Sequence, residues 1–159
     1  SAIEQVLGHQ EVSQLGNPVM HIVGESLRIG KRRLDSPFHQ DWPRLKTSAR
    51  TLVVWVTIGG ASGSSSLLLK PGSHKFGVFE AQNVSTVHEA VKADLDKFPT
   101  ISHDLEPGDA IIFDSLLLHG SKSGSNERIA VSVRYEDLLC QEWRNRNYSS
   151  NYRYSIEDL

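Results

Sequence analysis

The residues best suited to chemistry are His39 and Asp41, in the string FHQDW. On an extended chain, side chains two apart leave the same face, so this imidazole and carboxylate reach one ion while Gln40 points away. Two imidazoles and one carboxylate on one face of an octahedron suit non-haem Fe(II) and leave three positions open for a cosubstrate and dioxygen. A second histidine must then come from far along the chain, near a strand end. His119, closing the strand-like run SLLLH, is the best placed. His9, His21, His88 and His103 carry no supporting pattern, and His74 sits in the turn PGSHK, where holding the loop is the simpler role.

Arg128 follows His119 by nine residues, at the start of the run RIAVSVRYE. A dicarboxylate that chelates iron at one end needs a cation at the other, and a guanidinium offers two parallel hydrogen bonds to a carboxylate. Strand alternation puts Arg128, Ala130 and Ser132 on one face, so the Ser132 hydroxyl reaches toward the same carboxylate. A solvated charge at a strand end is the plain alternative for Arg128. Lys31, Arg32, Arg33, Arg44 and Lys46 surround the H-x-D, and Arg134 shares the Arg128 face by parity. Such a cluster either steers an anionic substrate or is an ordinary solvated loop.

These side chains must be positioned by short strands. TLVVWVTI (51–58) is the clearest, rich in β-branched and aromatic residues. HIVGESLRIG offers strands at 21–24 and 26–30, PFHQDW is extended, and SLLLK, ISHDL, AIIFDSLLLHGS and RIAVSVRYE (128–136) complete about eight. GGASGSSS, Pro71-Gly72 and Glu106-Pro107-Gly108-Asp109 read as turns. Two segments read as helical: a short amphipathic one within 3–15, and 83–98, where Val84, Val87, Val91, Leu95 and Phe98 keep helical spacing behind a Ser85 cap. The whole reads as an all-β sandwich or barrel with one or two peripheral helices. The βαβ alternation and Gly-rich phosphate loop of a nucleotide-binding sheet are missing.

FHQDW, TLVVWVTI, LLLKPGSHK, EPGDAIIFDSLLLHGS and NERIAVSVRY come in the order and spacing of the phytanoyl-CoA dioxygenase-like family, which the chain resembles over about residues 26–136. The resemblance implies a double-stranded β-helix, a jelly-roll of cupin type, with Fe(II), 2-oxoglutarate and dioxygen. By position it makes His39, Asp41 and His119 the iron ligands and Arg128 the anchor of the cosubstrate. Trp55 matches a family tryptophan on the strand lining the cosubstrate pocket, and Thr57 shares its face; core packing is the alternative for Trp55. A carboxylate at position 41, where halogenases of this type carry a small residue, favours hydroxylation over halogenation. Family members usually run longer, with helices ahead of the barrel, so the N-terminal helical region is expected to be incomplete here.

The chain has 159 residues, a formal charge of -2, 38% hydrophobic residues and a single cysteine, Cys140. That is enough for one core without disulfides, and the expectation is a single oxygenase domain over 1–159 with a C-terminal extension at 137–159. A lone thiol suits a reducing, cytoplasmic setting. No apolar run approaches the ~20 residues of a membrane helix, and the start lacks a secretory pattern. The slight acidity argues against nucleic acid, although CQEWRNRNYSSNYRY mixes Trp143, Tyr148, Tyr152 and Tyr154 with arginines. A tail packed on the barrel, a dimer contact or part of the substrate mouth is the preferred reading, with a small-molecule substrate and a monomer or homodimer expected. Two rivals stand beside the hydroxylase: a cupin-like metal isomerase or dioxygenase that needs no 2-oxoglutarate, and an inactive barrel serving as a binding module.

Overall fold

The computed structural model describes residues 2–8, 12–23, 36–45, 48, 50–60, 66–83, 89–91, 94–121, 127–141 and 151–152. Helix α1 (Ala2–Leu7) is followed by strands β1 (Val12–Val23) and β2 (Ser36–His39), the short helix α2 (Trp42–Leu45), β3 (Leu52–Gly59) and β4 (Leu67–Leu69). A 3-10 turn at Ser73–Phe76 leads to β5 (Ala81–Asn83), β6 (Glu89–Val91), β7 (Ala110–Asp114), β8 (His119–Ser121), β9 (Arg128–Asp137) and β10 (Asn151–Tyr152).

The strands form a five-stranded antiparallel sheet, in the order β10-β1-β9-β3-β7, and a three-stranded sheet, β2-β8-β4. β5 and β6 pair separately. The core lies between the two main sheets: Val53, Trp55, Phe113 and Ala130 come from the larger, and Leu67 and Leu69 from the smaller, with Leu117 between β7 and β8. The fold is the expected jelly-roll with short peripheral helices. Alternation holds from Val53 onward in β3 and through most of β9. Val53, Trp55, Thr57, Arg128, Ala130 and Ser132 are buried inward, while Val54, Val56, Ile58, Ile129, Val131 and Val133 face out, half-buried or exposed.

The N-terminal helix is shorter than its spacing suggests. It closes at Gly8, whose amide donates to the Glu4 carbonyl at φ 80°, and Val12 already opens β1. Residues 21–23 of the strand expected at 21–24 are the end of the twelve-residue β1, and Gly24 and the strand at 26–30 lie outside the described residues. Trp42 starts a helical turn instead of extending β2.

The helix expected over 83–98 is corrected where the chain is described. Glu89–Val91 is a strand paired with Ala81–Asn83, and Asp96-Lys97-Phe98 is turn and bend. Valines at helical spacing are also good strand formers, and cross-strand pairing decided between the two. ISHDL forms no continuous strand: Ile101 makes an isolated bridge with Leu69, and Leu105 is a single bridge residue. SLLLH is not one strand: Ser115–Leu117 turn, and His119 opens β8. Part of the C-terminal tail packs on the barrel, since β10 pairs with Gln14 and Leu15 of β1.

Candidate metal centre

β2 and β8 are paired so that His39 lies opposite His119. Gly120 permits this approach, because a Cβ there would stand 2.9 Å from the Ser36 carbonyl oxygen and 3.2 Å from the Phe38 nitrogen. Asp41 arrives just past the end of β2, with its amide and that of Trp42 both donating to the Ser115 carbonyl. Gln40 fixes the turn between the two ligand candidates. It is 2% exposed, its amide nitrogen donates to the Leu116 and Gly77 carbonyls at 2.6 and 2.8 Å, and its oxygen accepts from the Phe79 amide at 2.8 Å.

Asp41 Oδ1 lies 3.7 Å from Nε2 of His39 and 3.7 Å from Nε2 of His119. One donor atom from each of the three residues falls within 4.8 Å of the others. Ligands at ~2.1 Å from a common ion lie ~3.0 Å apart at a right angle and ~4.2 Å apart when opposed, so both Asp–His spacings fall within reach of a shared ion. The tautomers fit as well. His39 Nδ1 is 2.8 Å from the Pro37 carbonyl oxygen and His119 Nδ1 is 3.0 Å from that of Leu117. A carbonyl can only accept, so Nδ1 carries the proton and each Nε2 presents a lone pair inward.

The electrostatics keep Asp41 ionised. Burial alone would push its carboxyl up, but facing His119, Arg134 and His39 bring it down to about 2. Burial lowers His119, with Asp41 opposing, which favours the neutral imidazole that a metal needs. Arg134 grips the other carboxylate oxygen, donating to Oδ2 from Nε at 3.0 Å and from Nη2 at 2.8 Å. Its Nη1 donates to Ser132 Oγ at 2.7 Å, and that hydroxyl lies 2.8 Å from His21 Nε2.

Arg128 points inward, 2% exposed, with its guanidinium 5.4 Å from the Trp55 ring centroid. Burial lowers its pKa to about 10, which leaves it charged at neutral pH. Trp55 is paired with Ser132 and Thr57 with Ala130, so the expected pocket residues share one inner face. Trp55 is also packed in the hydrophobic core. Of the basic cluster, Arg134 is committed to Asp41, while residues 31–33 and Lys46 fall outside the described set.

Two residues here escaped the sequence reading. His21 lies on β1 opposite Ala130, and burial, Arg134 and Arg128 lower its pKa to about 4. Its signal was strand parity relative to β9, which needs the β1–β9 register. Parity in the sequence puts Arg134 on the inner face, but it leaves only substrate steering or a solvated charge as its roles, not a contact with Asp41.

A family model described as phytanoyl-CoA dioxygenase (PhyH) matches residues 2–130. Among solved structures, one described as a non-heme monooxygenase, ThoJ in its apo form, is similar at TM-score 0.67 and 16% identity, over 86% of this chain and 50% of that one. The epimerase SnoN, in complex with Fe3+, alpha ketoglutarate and nogalamycin RO, gives 0.62 and 16%, over 85% and 53%. EctD from S. alaskensis, with 2-oxoglutarate and 5-hydroxyectoine, gives 0.62 and 18%, over 86% and 48%. The chain thus spans about half the length of these structures. No curated protein matches it.

Proposed function

The chain belongs to the phytanoyl-CoA dioxygenase family, and from that premise we propose that it is an Fe(II)- and 2-oxoglutarate-dependent dioxygenase hydroxylating an unactivated C–H bond of a small molecule. The observation that carries this reading is the convergence of His39, Asp41 and His119 on one point, with both Nε2 lone pairs turned inward. These three would hold Fe(II), and Arg128 would bind the far carboxylate of 2-oxoglutarate. Bound together, iron and 2-oxoglutarate supply the oxidising power, with dioxygen consumed and succinate and carbon dioxide released.

The chain's own residues do the rest. Pro37 and Leu117 carbonyls hold the two imidazoles in the ligating tautomer. Asp41 supplies the negative charge. Trp55 beneath the Arg128 guanidinium limits its rotation, and Thr57 and Ser132 line the same face. With iron held, the Asp41 carboxylate would leave no place for a halide, which favours hydroxylation. Similar structures include both a monooxygenase and an epimerase, so the substrate's pose relative to a common centre would set the final product.

Anaerobic addition of Fe(II) and then 2-oxoglutarate should raise a weak visible charge-transfer band, followed by succinate formation on admitting oxygen. Asp41→Ala or His119→Ala should abolish both, and retained turnover in either variant would refute the ligand assignment. A purified chain that takes up iron but shows no 2-oxoglutarate-dependent band would favour the metal isomerase.

A further inference from the structure

We propose that Arg134 is a positioning residue that restricts Asp41 to one ligating oxygen and thereby preserves the third open position on the ion. The inference rests on the metal-centre reading above. An aspartate can offer a metal one oxygen or two. With two, it occupies an additional coordination position, and only two of six would remain for cosubstrate and dioxygen. Here the two oxygens are already assigned different work. Oδ1 faces His39 and His119 at 3.7 Å each, and Oδ2 receives two N–H groups of one guanidinium at 3.0 and 2.8 Å.

Arg134 is itself held. Its third contact, Nη1 to Ser132 Oγ at 2.7 Å, uses the neighbouring inward residue of β9, and His21 of the adjacent strand β1 holds that hydroxyl at 2.8 Å. The four residues form one line, His21–Ser132–Arg134–Asp41, running across the inner face of the sheet to the centre. The guanidinium and carboxylate side chains are 13% and 10% exposed, so water competes weakly for Oδ2. A flexible ammonium could neutralise the charge but would not present two donors in a fixed plane.

The test uses Co(II) as an air-stable probe whose visible absorption reports coordination without any turnover. Arg134→Leu should weaken Co(II) binding about tenfold or more and change the band shape, in line with other residues that orient metal ligands. Arg134→Lys keeps the charge and a foldable chain, so it decides the matter if the leucine variant is unstable. It should show the changed spectrum with only part of the affinity loss. Wild-type affinity and spectrum in the lysine variant would overturn the proposal. So would tighter binding in Arg134→Leu, which would make the arginine a competitor of the ion. His39→Ala separates the two levels of argument: if it binds Co(II) like the wild type, the metal centre itself is wrong and the role of Arg134 falls with it.

Discussion

A histidine ligates through an unprotonated nitrogen, and a carboxylate does so as an anion, so the residue scale is governed by proton placement. His39 and His119 each lose the choice of tautomer to a backbone carbonyl two residues back in sequence. His21 is different, with Arg134 and Arg128 adding to burial to hold it near 4. The unfolded chain protonates this imidazole near 6.5 and the folded chain only near 4. Between those values the unfolded state binds more protons, so the metal-free protein should lose stability as pH falls through that window. The loss amounts to about 3 kcal/mol. Chemical denaturation between pH 7 and 4 checks this, and His21→Asn should flatten the profile. Asp41 adds to the acid sensitivity lower down, where its depressed carboxyl is finally protonated near 2. Arg128→Lys keeps a charge but loses the planar fork stacked on Trp55. It should raise the 2-oxoglutarate KM about tenfold or more while leaving Co(II) affinity unchanged, as measured by steady-state kinetics and metal titration.

At the scale of elements, the site depends on how closely β2 and β8 approach. Gly120→Ala puts a methyl group against the Ser36 carbonyl and the Phe38 amide, both backbone and unable to turn aside. The strands must part, at a cost of about 1–3 kcal/mol. Melting temperature and Co(II) affinity should therefore fall together, because the same displacement carries His39 away from His119. Gln40 does comparable work through hydrogen bonds, tying the β2 end to the turn at Leu116 and to the Gly77–Phe79 segment. Further from the centre, Lys70 Nζ donates to the Leu95 and Phe98 carbonyls and to Thr100 Oγ1, strapping 95–100 beside β4. Buried Glu136 accepts from the Ser48 amide and Thr51 Oγ1, fixing the entry to β3.

For the molecule as a whole, the larger sheet buries one aliphatic layer and displays another. Met20 and Ile22 of β1, Ile129, Val131 and Val133 of β9, and Val54, Val56 and Ile58 of β3 form a continuous outward face by register. Met20 is 63% and Ile58 54% exposed. Apolar strands on both faces are usual where a sheet is covered on both sides. The folded chain should accordingly enhance the fluorescence of a hydrophobic dye. Met20→Lys with Ile58→Lys should suppress that signal and leave Co(II) binding intact. Among the described residues, no helix is long and apolar enough to cross a membrane.

What the sequence determined by itself was the local pattern. β-Branched alternation in TLVVWVTI and RIAVSV specified strands and their faces, and H-x-D two apart specified a shared direction for His39 and Asp41. His119 reads as the candidate distal partner from its place closing SLLLH, with the family motifs in order around it, although its strand begins at the histidine instead of ending there. Tertiary structure alone decided the rest. The valines of 83–98 satisfy helical spacing and strand propensity equally well, and only pairing of β6 with β5 settles Glu89–Val91. Parity puts Arg134 on the Arg128 face, but its partner appears only when the two sheets close and its guanidinium meets Asp41, 93 residues earlier. The physical reason is that periodicity is a property of one segment, whereas register and long-range hydrogen bonds join two. A partner 93 or 111 residues away leaves no mark in the spacing of its own neighbours.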